Sequence, residues 1–151
     1  MKNIKTLLIA NRGEIAHRII RTATELGIRT IAVYTEPDTG TPHTLAADTA
    51  IFLEDRDNRK EPYLDIDRLI EVAKEQGADA VHPGYGFLSE NAEFAEACDK
   101  AGLIFVGPGP DTIRLMADKA AGKLSMQEAG VPCVPGYDGA DQSARTLRQE
   151  A

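Results

Sequence analysis

The chain has 151 residues, of which 42% are hydrophobic and 27% are charged, a balance that is typical of one globular domain and argues against overall disorder. Its 24 acidic residues outnumber 17 basic ones and give a net charge of -7, which disfavours nucleic acid and anionic membranes as partners. The two cysteines, Cys98 and Cys133, form no metal-binding or disulfide pattern. Because no apolar run is long enough for a secretory signal or a membrane span, we expect a cytoplasmic chain.

Short apolar blocks alternate along the chain with stretches of helical periodicity. The first block, Thr6–Ala10, is typical of a buried strand, and apolar residues then recur with helical spacing from Ile15 to Leu26. Gly27 stands where a helix often ends, and the β-branched residues of Thr30–Tyr34 predict a second strand. The remaining predicted strands are Ala50–Leu53, Ala80–His82 and Leu103–Val106. The remaining helical patterns are Ile66–Ala73, Phe94–Ala101 and Ile113–Leu124.

Strands that alternate with helices predict an α/β fold in which a doubly wound parallel sheet of about five strands is covered on both faces. We expect this sheet and its helices to span about residues 5–130, with a break in the last helix near Asp118. After Gly136 the residues indicate a loop, and a further helical pattern begins at Thr146. The sequence stops inside that pattern, so we expect the chain to be truncated.

Ligands of doubly wound folds bind beyond the carboxyl ends of the strands, and three segments carry suitable residues there. The first segment, Asn11–Ile15, leads from the first strand into the first helix. Gly13 permits a tight turn, and the helix N-terminus could hold an anion, although the glycine spacing of a dinucleotide-binding loop is absent. The alternative, which chemistry alone favours, is a turn in which Arg12 and Glu14 fix the geometry of the loop.

The second segment, His82–Asn91, is the most informative stretch of the sequence. Gly84 and Gly86 flank Tyr85 directly after a predicted strand, so the backbone could approach a ligand while the phenol ring is displayed. The alternative is that Tyr85 and Phe87 are packing residues of a well-capped loop. A helix cap does not require Pro-Gly-Tyr-Gly, and a binding role is therefore slightly favoured.

The third segment, Met116–Lys119, ends in a lysine. A single lysine on a helix by itself indicates only a solvated helix face. Cys98 lies on an apolar stripe and is expected in the core, and His43 is expected in an ordinary loop pair with Asp48. His82 is the histidine best placed for a ligand, although it could serve only to hold the loop by hydrogen bonds. No histidine is arranged with a serine or cysteine and a carboxylate as in a catalytic triad. Either of two polar residues, Ser89 or Asn91, could cap the helix after the second segment.

Taken together, these segments resemble one known family. Leu8–Ala16, His82–Asn91 and Asp118–Lys119 occur in the same order, and with similar spacing, as at the N-terminal end of the biotin carboxylases. The family fold is a Rossmann-like lobe that precedes an ATP-grasp domain. The resemblance therefore implies that residues 1–136 are such a Rossmann-like pre-ATP-grasp lobe, and that residues 137–151 begin the linker or the ATP-grasp region.

The resemblance also implies an activity, since these enzymes activate bicarbonate with MgATP and then carboxylate biotin on a carrier protein. By position, Lys119 corresponds to a lysine that contacts the ATP phosphates, and Tyr85 and Gly86 correspond to positions that line the biotin site. Arg21 and Glu25 correspond to positions at the family's dimer interface, and their i, i+4 spacing puts both on one helical face.

ATP, Mg2+ and biotin are therefore the implied cofactors of a full-length enzyme. In the family, the metal ligands, the bicarbonate-binding residues and the glycine-rich loop over the ATP phosphates belong to later segments. We accordingly assign no catalytic residue and no metal ligand to this chain, and expect negligible carboxylation by these residues alone. The implied partners are the remainder of the biotin carboxylase, the biotin carrier protein and the carboxyltransferase, with a homodimer left open.

The tail gives a cue to the subtype, because Val134–Tyr137 and the polar residues after it are more similar to acyl-CoA carboxylase subunits than to pyruvate carboxylase. Three alternatives stay open. The chain could be the N-terminal lobe of a pyruvate carboxylase, a stand-alone interaction or dimerisation module, or an independent nucleotide-binding domain with unrelated chemistry.

Overall fold

The computed structural model describes residues 3–54, 61–137, 139 and 141–150. The chain divides into two compact units, Met1–Pro110 and Asp111–Ala151. The strands of the first unit are β1 (Thr6–Ile9), β2 (Arg29–Tyr34), β3 (Thr49–Phe52), β4 (Ala80–His82) and β5 (Ile104–Phe105). Its helices are α1 (Gly13–Glu25), α2 (Pro42–Ala46), α3 (Ile66–Glu75) and α4 (Ala92–Lys100), together with short 3-10 helices at Glu36–Asp38 and Pro62–Leu64.

The five strands form one parallel sheet in the order β3-β2-β1-β4-β5. The central strand β1 is in register with both neighbours, since Leu8 lies opposite Ile31 of β2 and Val81 of β4. The predicted α/β class and the sheet of five strands are thus confirmed. The chain winds outward in one direction to β3 and in the other from β4, so the loops after β1 and β4 emerge at a topological switch point.

Hydrophobic residues fill both faces of the sheet, which explains the unbroken apolar run of β1. Leu8 belongs to the cluster on the face covered by α3 and α4, together with Leu69 and Phe94. Leu7 and Ile9 belong to the opposite cluster, which contains the buried residues of α1. Each Leu or Ile that is fully buried in this way contributes roughly 1.5–3 kcal/mol through removal of apolar surface from water.

The buried face of α1 differs from the predicted one. Ala16, Ile20 and Ala23 are buried, whereas Leu26 is 70% exposed and Ile15 and Ile19 are only half-buried. The helical spacing had placed Ile15, Ile19, Ala23 and Leu26 on one face, and the observed buried face is turned from it by about one residue and shares only Ala23. Ile20 thus faces the sheet between two alanines, Ala16 and Ala23, whose small side chains allow the helix to lie close to the sheet.

The helices of the second unit are α5 (Pro110–Ala117), α6 (Lys119–Glu128) and α7 (Ala144–Glu150). The first residue of α5, Pro110, is the last residue of the first unit. The predicted break at Asp118 is confirmed, because its side chain caps α6 by accepting hydrogen bonds from the backbone N–H groups of Ala120 and Ala121, each at 3.0 Å. Within the described ranges, no helix is long and apolar enough to cross a membrane.

Candidate functional site

The loops after β1 and β4 meet through the side chain of Asn11. Its Nδ2 donates hydrogen bonds to the backbone carbonyls of Pro83, at 2.7 Å, and Tyr85, at 2.8 Å. The sequence presented Asn11–Ile15 and His82–Asn91 as separate candidates. The structure joins them into one site because β1 and β4 are neighbours in the sheet.

The loop that carries Tyr85 has an unusual backbone. Gly84, Gly86 and Phe87 adopt positive φ angles of 65°, 66° and 39°. Glycine adopts such angles without steric cost, but for a phenylalanine they are uncommon and are found most often at functional sites. A Cβ added to Gly86 would meet nothing within 4 Å, so there is open space on that side of its backbone.

Tyr85 is displayed and not packed, since it is 62% exposed. Its hydroxyl donates a hydrogen bond to the carboxylate of Glu14 at 3.2 Å. This bond and the negative charge of Glu14 raise the pKa of Tyr85, which keeps the phenol protonated. The packing role proposed as an alternative falls to Phe87, whose ring centroid lies 5.1 Å from that of Tyr63.

His82 holds the start of this loop, and Asn91 caps the helix that follows it. The backbone N–H of Gly84 donates to Nδ1 of His82 at 3.0 Å, and burial lowers the pKa of this histidine. Holding the loop by a hydrogen bond was one of the two roles expected for His82. Asn91, and not Ser89, caps α4 by accepting a hydrogen bond from the backbone N–H of Phe94 at 2.7 Å.

The Asn11–Ile15 loop is held by a buried carboxylate, that of Asp38, which no sequence pattern indicated. Asp38 is 2% exposed and accepts hydrogen bonds from Nε of Arg12, 2.9 Å from each carboxylate oxygen, and from the Tyr63 hydroxyl at 2.7 Å. Burial raises the pKa of Asp38, but these hydrogen bonds outweigh it and hold the pKa below its ordinary value. The partners are distant in sequence, and no local motif links them.

The expected loop pair of His43 and Asp48 is wrong. His43 is fully buried, and its Nδ1 lies 2.9 Å from the hydroxyl of Thr41. Asp48 instead accepts hydrogen bonds from the backbone N–H and the hydroxyl of Thr30, each at 2.8 Å. Tertiary packing of α2 against the sheet places His43, and the polar sequence around it gave no sign of that burial.

Arg21 and Glu25 both belong to α1, where their spacing puts them on one helical face, and both are exposed. Arg21 lines a cleft of about 570 Å³ together with Arg12, His17 and Arg18. The same cleft is also lined by two acidic residues, Glu14 and Asp38, of which Asp38 is paired with Arg12. The interface role of Arg21 and Glu25 stays a prediction.

In the second unit, Lys119 is the first residue of α6 and is exposed. It lines a cleft of about 560 Å³ with Met116, Met126 and Cys133 among its other walls. A neighbouring lysine of the same cleft, Lys123, donates from Nζ to the backbone carbonyl of Gly136 at 3.4 Å. The cleft offers positive charge beside apolar side chains, and the phosphate role of Lys119 stays a prediction.

Metal ligands were not expected in this chain. Among the residues that the structure describes, no three His, Cys, Asp or Glu side chains are grouped as metal ligands would be. The described residues therefore do not fit a magnesium site by themselves, and we place no magnesium ligand on them.

Comparison with known proteins decides the family. Residues 3–113 match the family described as biotin carboxylase, N-terminal domain, a stretch that includes both loops at the β1–β4 switch point. The chain belongs to this family. The resemblance inferred from the three sequence blocks is thereby confirmed.

Several biotin-dependent carboxylases contain a similar lobe. The chain is 50% identical over 151 residues to the mitochondrial methylcrotonoyl-CoA carboxylase subunit alpha of Dictyostelium discoideum, covering all of this chain and 22% of that protein. It is 54% identical over 137 residues to the mitochondrial pyruvate carboxylase of Mus musculus, covering 91% of this chain and 12% of that protein. The chain thus spans less than a quarter of either relative.

A solved structure confirms the fold of the biotin carboxylase lobe. The biotin carboxylase domain dimer of the Hydrogenobacter thermophilus 2-oxoglutarate carboxylase, in complex with MgADP, ADP and bicarbonate, superposes with a TM-score of 0.86 at 44% identity. The match covers 99% of this chain and 32% of that one.

Proposed function

We propose that this chain is the N-terminal lobe of an ATP-dependent biotin carboxylase, a ligase that uses MgATP and bicarbonate to carboxylate biotin on a carrier protein. The family match over residues 3–113 is the observation that carries the proposal. That match includes the whole parallel sheet and both loops joined by Asn11. A stand-alone interaction module is not favoured, because the similar proteins are carboxylases.

Tyr85 and Gly86 are proposed to contact the ureido ring of biotin. The exposure of Tyr85 and the open space at the Cβ position of Gly86 support this role, since a flat ligand could approach the backbone there. The hydrogen bond from Tyr85 to Glu14 fixes the direction of the phenol ring before a ligand arrives.

Lys119 is proposed to contact the phosphates of ATP. Its exposed position in a cleft that Lys123 also lines supports this role, because the two ammonium groups bring positive charge to one place. Other groups that bind the nucleotide, bicarbonate and magnesium are expected elsewhere in a longer protein. The 151 residues alone are therefore expected to be inactive.

The finer assignments concern the subtype, the partners, the compartment and the domain division. We propose an acyl-CoA carboxylase because of the tail residues Val134–Tyr137, although both methylcrotonoyl-CoA and pyruvate carboxylases are among the relatives. The carrier protein, the carboxyltransferase and the rest of the biotin carboxylase are the proposed partners, and Arg21 with Glu25 the proposed dimer contact. The compartment is proposed to be the cytoplasm, with a domain division at residue 136.

Steady-state kinetics of the longer protein that carries this lobe test the proposal. The unmodified protein should hydrolyse ATP in a bicarbonate-dependent reaction and transfer labelled bicarbonate to free biotin. Lys119→Ala should raise the KM for ATP or lower kcat by about tenfold or more, because a charge that contacts a phosphate is removed.

Lys100→Ala is the matched control for that substitution. Lys100 lies on α4 with its side chain 80% exposed, and its removal should leave both constants unchanged. Absence of bicarbonate-dependent ATP hydrolysis in the unmodified protein would contradict the proposed reaction. Equal kinetics for the Lys119 and Lys100 variants would contradict only the phosphate role.

A further inference from the structure

The segment Gly84–Phe87 cannot hold its shape through local secondary structure. Three of its four residues have positive φ, and Tyr85 between the glycines is mostly exposed. Glycine-rich backbone of this kind loses much conformational entropy when it is ordered, so contacts from elsewhere must fix it. The relevant contacts come from Asn11 and His82.

Both polar atoms of the Asn11 side-chain amide form hydrogen bonds. Both Nδ2 donors are directed at the loop, one to the carbonyl of Pro83 and one to that of Tyr85, at 2.7 and 2.8 Å. Its Oδ1 accepts from the backbone N–H of Arg12 at 2.9 Å. The side chain is 2% exposed, so water cannot replace these bonds at low cost.

Gly84 lies between the two carbonyls that Asn11 binds, and it fits against the same side chain. A Cβ at this position would stand 2.7 Å from Nδ2 of Asn11. On its other side, the N–H of Gly84 donates to Nδ1 of His82 at 3.0 Å. The peptide that leads into Tyr85 is therefore held from both flanks, and Asn11 supplies two of the three bonds.

We propose that Asn11 is a positioning residue for substrate recognition: its amide holds the Pro83–Tyr85 backbone so that Tyr85 and Gly86 face biotin in the productive orientation. This inference rests on the proposed function, because it takes biotin as the ligand of Tyr85 and Gly86. Asn11 itself is buried and does not contact the substrate. It acts through the loop, and a small displacement of recognition groups is enough to weaken binding or turnover strongly.

The test compares Asn11→Asp with Asn91→Asp in the longer protein. Asn11→Asp keeps the shape of the side chain but replaces both N–H donors by an acceptor that faces two carbonyl oxygens. Asn91→Asp makes the same chemical change at the end of the same sequence block. It keeps the acceptor that caps α4, because a carboxylate oxygen accepts the Phe94 N–H equally well.

We expect Asn11→Asp to raise the KM for free biotin by about tenfold or more, while the KM for ATP in the biotin-independent, bicarbonate-dependent hydrolysis changes less than about twofold. In this variant, amide hydrogen exchange should become faster in the Gly84–Ser89 peptide and should stay unchanged in the other peptides of the lobe. Asn91→Asp should leave both KM values unchanged.

Two results would overturn the inference. One is an unchanged KM for biotin despite faster exchange in the loop, and the other is an equal rise in both KM values, which would mark a general structural role. Gly84→Ala probes the same contact from the loop side and substitutes for Asn11→Asp if that variant fails to fold, with the same two results decisive. If the unmodified protein carboxylates no biotin, the proposed function fails, and the positioning role for biotin is overturned with it. Amide hydrogen exchange of the Gly84–Ser89 peptide would then show separately whether Asn11 holds the backbone of this loop.

Discussion

Arg12 and Asp38 form a bidentate ion pair in which Nε of Arg12 lies 2.9 Å from both carboxylate oxygens and Nη2 lies 2.5 Å from Oδ1. The carboxylate is almost completely buried, whereas the arginine side chain is 45% exposed. Asp38 thereby ties the loop after β1 to the 3-10 helix after β2. The carboxylate also accepts hydrogen bonds from the hydroxyls of Tyr63, at 2.7 Å, and Thr35, at 3.2 Å, and the Tyr63 bond links the ion pair to the core.

Tyr63→Phe should destabilise the lobe by about 2 kcal/mol, because a hydrogen bond to a buried carboxylate is lost and nothing replaces it. Urea unfolding of the 151-residue chain, followed by circular dichroism, measures the change. Tyr34→Phe is the matched control, since within the described residues the Tyr34 hydroxyl has no hydrogen-bond partner. A loss of similar size in both variants would mean that Asp38 does not depend on the Tyr63 hydroxyl.

The stability of the lobe should fall as the pH decreases through 6.5. Burial lowers the pKa of both His43 and His82 below their ordinary value of 6.5, so the unfolded chain takes up protons in this range before the folded chain does. The stabilisation is therefore fully present above pH 6.5 and is lost progressively between 6.5 and the lower folded-state pKa values. Urea midpoints measured between about pH 5 and 8 should show this slope.

The double variant His43→Gln, His82→Gln removes both titrating groups and should flatten the slope in that range. Asp38 does not interfere, because its lowered pKa lies below an ordinary value of 3.8 and its contribution is lost only in stronger acid. An undiminished slope in a folded double variant would show that other groups cause the pH dependence.

The two cysteines should differ sharply in reactivity. Cys98 is fully buried, and burial, aided by the charge of Asp99, raises the pKa of its thiol to about 12. Cys133 is half-exposed at the cleft that Lys119 lines. Maleimide should therefore label Cys133 in the folded chain and reach Cys98 only after unfolding, as mass spectrometry of the peptides would show. Equal labelling of both thiols under native conditions would mean that the α4 core opens readily.

Charge reversal on α1 tests the proposed dimer contact. Arg21→Glu and Glu25→Arg should each weaken self-association of the longer protein, measured by sedimentation velocity, because each places like charges at the contact. Lys74→Glu, on the exposed side of α3, is the control and should not change the sedimentation coefficient. Unchanged self-association in both α1 variants would contradict the proposal that Arg21 and Glu25 lie at the dimer interface.

The alternation of strands and helices was readable from the sequence because each strand of a parallel sheet covered on both faces is a short apolar run. All five strands lie within one residue of their predicted limits, and the break at Asp118 was found because an aspartate caps the helix that follows it. The family was equally readable, since Leu8–Ala16 and His82–Asn91 are contiguous blocks. Two expectations failed: the apolar face of α1, which depends on how closely the helix approaches the sheet, and the loop pair of His43 and Asp48.

The sequence by itself thus determined the fold class, the family and the residues that are proposed to meet biotin and ATP, because each of these is encoded in local patterns. Only the tertiary structure decided how those residues are supported. Asn11 contacts Tyr85, and Asp38 joins Arg12 to Tyr63, because the fold brings together segments that are 25 or more residues apart in the sequence. The burial of His43 was likewise visible only in the tertiary structure. Long-range hydrogen bonds of this kind have no spacing rule in the sequence, since they arise only when the sheet has formed.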